Sequence, residues 1–183
     1  PTGAHATPAA IREALTRYSA ALMGPPVVDL TEALRVLDAG DVAEPDGEDG
    51  IAATVARVRE LADATRLVIA LGGDNALTYP VARGARATGL ITIDAHFDLR
   101  DGISNGSPVR RLIEDAPEGE RIDPTRIVQI GIADFANSAA YAARAADWGI
   151  RVITLDEVRR RGIAEVIAEA TRIAGAGAGA RIH

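Results

Sequence analysis

The chain has 183 residues, 48% of them hydrophobic, enough for one domain with an apolar core and too little for a second independent one. A formal net charge of −6 and an aromatic content of 3% leave neither a basic stripe nor stacking platforms, which argues against nucleic acid as a partner. The absence of cysteine removes disulfides and thiolate metal sites, and the absence of lysine removes Schiff-base catalysis. No apolar run approaches the ~20 residues that span a bilayer, and the N-terminus lacks signal-peptide features, so a soluble, cytoplasmic protein is expected.

In chain order, Thr7 and Pro8 suit the N-cap and first turn of a helix. Ile11, Leu15, Tyr18 and Leu22 continue one apolar face up to Gly24. Val27–Leu30 and Val36–Asp38 are short strand candidates, and Gly40 to Gly50 reads as an acidic surface loop. Val55, Val58, Leu61 and Ala62 predict a helix over Ile51–Thr65, feeding an apolar strand at Leu67–Leu71 that ends in Gly72-Gly73. The alternation then repeats. A helix is expected at Ala76–Arg86, a strand at Leu90–Asp94, a short helix from Pro108 and a strand at Arg126–Ile132. A helix at Asn137–Trp148, a strand at Arg151–Leu155 and a helix at Asp156–Ala174 follow. Continuously apolar strands separated by helices imply an α/β protein whose parallel sheet is covered on both faces. Residues 175–180 are a Gly/Ala-rich connector, and Arg181-Ile182-His183 begins another strand. A single domain over 1–183, truncated at both ends, is expected.

Ligands in such sheets collect beyond the carboxyl ends of the strands. There, Asp94, His96 and Asp98 recur at a spacing of two, which in extended backbone puts three side chains on one face. Two carboxylates and an imidazole at a strand mouth repel one another and suffer desolvation unless a cation or tight hydrogen bonds neutralise them. Oxygen ligands with one imidazole and no thiolate favour manganese over zinc; the competing reading is a strand end whose acids cap the next turn. Asp74 and Asn75 follow a glycine pair at the end of the preceding strand, either as helix cap or as part of the ligand shell. Leu99–Pro108 is polar, turn-rich and long, the profile of a substrate loop. Arg100 within it could grip a carboxylate bidentately or simply face solvent, and Arg110 and Arg111 are assigned to solvent or a subunit contact. His5 is expected in solvent.

Taken together, Gly72-Gly73-Asp74-Asn75, Asp94-Ala95-His96-Phe97-Asp98-Leu99-Arg100, Ser104-Asn105-Gly106-Ser107-Pro108 and Gln129-Ile130-Gly131-Ile132 resemble the arginase, agmatinase and formimidoylglutamase family, nearest to the formimidoylglutamases. Gly3–Arg12 is similar to the family's entry into its first helix. The resemblance implies a three-layer α/β/α sandwich, incomplete at its C-terminal end, and two Mn2+ that share and activate a bridging water. It also implies a homo-oligomer, trimeric or hexameric, acting on a small amidine or amino-acid substrate. Asp94 would bridge both ions, His96 would bind one, and Asp98 would bind the other while serving catalysis. Asp74 would support this shell, and Arg100, Asn105 and Ser107 would bind substrate. Arginine at position 100 favours N-formimidoyl-L-glutamate, hydrolysed to glutamate and formamide; agmatinase or guanidino-acid hydrolase activity and a non-catalytic role are the alternatives. Asn75 stands where the family has its first metal histidine, a poorer ligand that weakens one metal site. Asn105 stands where arginases carry a proton-shuttling histidine. The family's S-x-D-x-D-x-x-D-P motif is missing, so the 183-residue segment alone is expected to be inactive.

Overall fold

The computed structural model describes residues 3–183. After a short turn at Ala4–Ala6, helix α1 runs only over Thr7–Leu15. The expected continuation to Gly24 does not form: the Thr16 hydroxyl donates to Glu13 O at 2.6 Å, and Tyr18 is exposed, so the apolar face has nothing to bury against. Ala21–Leu22 instead forms β1, antiparallel to β2 at Val28–Asp29. A single turn, α2 (Leu30–Ala33), follows, capped by Asp29. Val36–Asp38 is irregular rather than a strand.

Helix α3 (Gly47–Ala64) starts earlier than expected, with Glu48 and Asp49 in its first turn complementing the helix dipole. Leu67–Leu71 is not a strand: Leu67 and Ile69 are 74% and 75% exposed, and no ladder partner exists among the described residues. Strand character belongs to a pair of segments, and an apolar run without a partner cannot express it. A 3-10 turn at Asn75–Leu77 leads into α4 (Thr78–Gly84), then β3 (Leu90–Ile93) and α5 (Pro108–Glu114). The chain continues through β4 (Ile127–Ile132), α6 (Ala139–Asp147) and β5 (Arg151–Thr154). One helix was expected after β5, but Gly162 at φ 83 divides it into α7 (Leu155–Arg161) and α8 (Ile163–Ala174).

The sheet has the order β3-β4-β5, all parallel. Its outer side at β3 is extended by the last residues, where Ile91 N donates to His183 O at 2.8 Å and His183 N to Gly89 O at 3.0 Å. Gly89 is where the C-terminal end of α8 leaves no room, since a Cβ there would lie 2.0 Å from Ala174 O.

Two cores flank the sheet. On one face Leu90, Leu99, Leu112 and Ile127 pack with Tyr79 of α4 and Ala145 of α6. On the other, Val128, Ile130 and Ile153 pack against Val166 and Ala170 of α8, which recur every four residues along one stripe. Alternating residues of β4 thus serve opposite layers, giving three layers in all. Arg151 binds Glu157 of α7 at 2.6 Å and Glu169 of α8 at 2.7 Å, tying both helices to β5. No helix among the described residues is long and apolar enough to cross a membrane.

Candidate metal centre

β3 ends at Ile93, and the residues beyond it bend instead of continuing extended. Asp98 adopts φ 53, in the left-handed region that aspartate tolerates better than most residues. Asp94, His96 and Asp98 are therefore placed by a turn and not by strand alternation, which corrects the geometric premise of the sequence reading. Asp94 Oδ1 accepts from His96 N at 2.7 Å and lies 3.1 Å from His96 Nδ1. The imidazole's Nε2 has no partner among the described residues.

From a segment 23 residues earlier, Asn75 Nδ2 donates to Asp98 Oδ2, while Asn75 Oδ1 accepts from the Thr78 hydroxyl at 2.9 Å. Asp74 caps the Asn75–Leu77 turn, accepting from Ala76 N at 2.9 Å. Gly73 must be bare because Ala4 O would sit 2.2 Å from a Cβ.

Asp98 is buried, and its carboxyl is pushed up to about 6 by that burial and by the neighbouring Asp94 carboxylate. His96, the Asn75 hydrogen bond and Arg100 oppose the rise without cancelling it. The chain thus holds two carboxylates together without enough positive charge of its own. Carboxylate oxygens, an imidazole and an amide suit a hard to borderline divalent cation. Among the described residues, however, no group of three or more His, Cys, Asp or Glu is close enough to hold one ion. The four residues form two hydrogen-bonded pairs, Asp94 with His96 and Asp98 with Asn75, which fit a cation as part of a coordination shell.

Three residues outside the motif hold this loop. Gln129 Nε2 in β4 donates to Phe97 O at 2.7 Å from a fully buried position. Asn137 Oδ1 accepts from Phe97 N at 3.0 Å, and its Nδ2 donates to Ala95 O at 2.8 Å. Arg110 donates to Arg100 O at 2.9 Å and Gly102 O at 2.8 Å. Arg110 and Arg111 are both buried within the chain, which corrects their assignment to solvent or a subunit contact. The sequence signal for Gln129 was an amide within an otherwise apolar strand; Asn137, at a predicted helix start, reads as nothing more than a cap.

Arg100 and Asn105 are exposed on the loop that follows the motif. The Arg100 stem lies over Gly106, where a Cβ would be 2.9 Å from Arg100 Cδ. Ser107, expected to bind substrate, is instead fully buried; its hydroxyl accepts from Ser104 N and donates to Ser104 O, each at 2.8 Å, and so closes the loop on itself. His183 lines a cavity of about 170 Å3 with Asn75, Thr78 and Asp94, and burial pushes its imidazole below the ordinary range. His5 lies exposed in the N-terminal turn.

The sequence matches the arginase family over residues 1–183. The chain belongs to the arginase family. A formimidoylglutamase of Halalkalibacterium halodurans is 34% identical over 186 residues, covering 92% of this chain and 55% of that protein. A guanidinopropionase of Pseudomonas aeruginosa is 36% identical over 155 residues, covering 79% of the chain and 48% of its own length. Among solved structures, a Trypanosoma cruzi formiminoglutamase with Mn2+ superposes with a TM-score of 0.84 at 25% identity, covering 96% of this chain and 61% of that one. The arginase-like α/β/α architecture of this chain is thereby established. The chain spans about half the length of these curated relatives.

Proposed function

We propose that this chain supplies the Asp94–Asp98 half of the active site in a manganese-dependent hydrolase of linear amidines, with N-formimidoyl-L-glutamate as substrate. The observation that carries the reading is the buried Asp98 carboxyl held beside Asp94 and His96 at the mouth of β3, short of positive charge. Asp94, His96 and Asp98 would hold Mn2+, with Asn75 as a weaker neighbour. When bound, the metal supplies a water activated near neutral pH.

The chain's residues supply the remainder. Asp98 accepts the proton of the attacking water at a carboxylate oxygen. Arg100 receives the carboxylate of the substrate, and Asn105 offers its amide from the same loop. Asp74 and Ser107 keep the two loops in shape. Water adds to the amidine carbon, the proton taken up by Asp98 passes to the glutamate nitrogen, the carbon–nitrogen bond to it breaks, and glutamate and formamide leave. The similarity to formimidoylglutamases supports this substrate, while the similarity to a guanidinopropionase and to a Neisseria meningitidis agmatinase keeps a guanidino substrate as the second reading.

The test is the full-length protein carrying this chain, loaded with Mn2+ and offered N-formimidoyl-L-glutamate, agmatine and 3-guanidinopropionate. Formamide from the first, abolished by Asp98→Asn and with KM raised by Arg100→Met, is expected. Urea release from either guanidino compound exceeding formamide release would overturn the substrate assignment.

A further inference from the structure

A second cavity, of about 410 Å3, opens between α3, α4 and α5 and shares no lining residue with the cavity beside Asp94. Arg59, Arg83 and Arg111 converge on it, with Tyr79, Glu48 and Glu120. Glu120 is fully committed, accepting from Arg59 Nη2 and from Arg83 Nε at 2.7 Å each. Arg111 is not. Its guanidinium stacks 3.8 Å over the Tyr79 ring, and its side chain is only 9% exposed, yet it donates no hydrogen bond among the described residues. The one carboxylate near it, Asp115, lies 3.7 Å away, and both Asp115 oxygens are already bound by Arg110 at 2.9 Å.

A buried guanidinium without an acceptor is costly, because desolvation is uncompensated. The Nε of Arg111 and that of Arg59 are both sealed from solvent without a partner. Arg111 lines the cavity, and its terminal nitrogens are not among the sealed, unpartnered atoms. Three arginines and two glutamates line the pocket, and the acid beside Arg111, Asp115, is held by Arg110. Ile51 and Val55 of α3 give it an apolar wall.

We propose that this pocket binds a small aliphatic monocarboxylate, its carboxylate gripped by the Arg111 fork and its chain laid against α3. A fork over an aromatic face selects a planar carboxylate, and the apolar wall selects a hydrocarbon tail. The site is independent of the metal reading, since it contains none of the residues at the mouth of β3.

The test is a titration of the full-length protein carrying this chain with sodium butyrate, followed by amide chemical shifts and calorimetry, with butylamine as the cationic control. Saturable butyrate binding centred on α3, α4 and α5 is expected, weakening as ionic strength rises. Arg111→Met should weaken it at least tenfold. Arg111→Lys, which keeps the charge and the fold, should weaken it several-fold, and Glu48→Gln, which removes an unpaired negative charge from the rim, should tighten it. Asp98→Asn should leave it unchanged. Butyrate binding that survives both Arg111 substitutions, or is lost in Asp98→Asn, overturns the proposal. So does self-association of the chain that Arg111→Lys abolishes while butyrate has no effect, because the cavity is then a contact between copies.

Discussion

Asp98 should make the metal-free protein less stable as the pH rises. Its carboxyl titrates at about 6 in the fold against an ordinary 3.8, so between those values the folded state keeps a proton that the unfolded state has released. Stability from this group is complete below the unfolded value and is lost as the pH climbs through the folded one. The gap is worth at most about 3 kcal/mol. Asp98→Asn removes the titration while keeping an oxygen to accept from Asn75. Urea unfolding with chelator present should give equal midpoints for the two proteins near pH 4. At about pH 7.5 the variant should gain on the order of 1 M in midpoint, with a slope of about 2 kcal/mol per molar urea. Carboxylates held below their ordinary range by arginine, such as Asp63, Glu157 and Glu169, tilt both curves the other way and cancel in the difference. Mn2+ should erase the deficit of the parent at the higher pH and leave the variant unmoved. Midpoints that differ by the same amount at every pH would refute the assignment of burial and Asp94 as the cause.

The loop clamps give further tests. Gln129→Leu strips the buried Phe97 carbonyl of its donor at 2.7 Å, for which a loss of about 1–3 kcal/mol is expected in urea unfolding. Some of that loss is offset because the variant also removes Gln129 Oε1, itself buried without a partner. Asn137→Ala deletes the hydrogen bonds to Phe97 N and Ala95 O, and should speed amide exchange at Phe97 while lowering Mn2+ affinity on the order of tenfold. Gly89→Ala would drive a methyl to 2.0 Å from the Ala174 carbonyl and should destabilise the fold by roughly 1–3 kcal/mol or more. A thermal midpoint equal to the parent's would show that the packing of the α8 C-terminus against the start of β3 is loose.

The elements legible in the sequence were those whose pattern and partner lie within the chain. β4 is buried on both faces and its apolar run reads at once, and the helix expected over Asp156–Ala174 covers α7 and α8 but not their division at Gly162. The failures share a cause. Tyr18 and Leu22 match a helical period, but amphipathic spacing says only that a face could be buried. In the site, residue types were legible because charge and donor chemistry are local properties. Their geometry was not, because it depends on the left-handed turn at Asp98 and on Gln129 and Asn137, which act through backbone atoms and leave no motif. Arg110 and Arg111 were misplaced for a similar reason: an arginine pair on a short helix reads as solvated, and only the loop carbonyls over Arg110 and the packing of Tyr79 on Arg111 reveal that both are buried.

Leu67–Leu71 sharpens the point into a measurement. An uninterrupted apolar run between a helix and a glycine pair has the composition of an interior strand, yet Leu67 and Ile69 lie open to solvent. No backbone amide from Leu67 to Leu71 donates a hydrogen bond among the described residues, whereas those of β4 sit between two parallel neighbours. Exchange protection follows hydrogen bonding and burial together. In the 183-residue chain, amides 67–71 should therefore exchange at close to the unstructured rate, and those of Ile127–Ile132 should exchange only through global unfolding. Strong protection at 67–71 would mean that another strand pairs there in solution. Dilution separates the two sources of such a strand: protection lost at low concentration comes from a second copy, and protection that persists comes from a rearrangement within the chain.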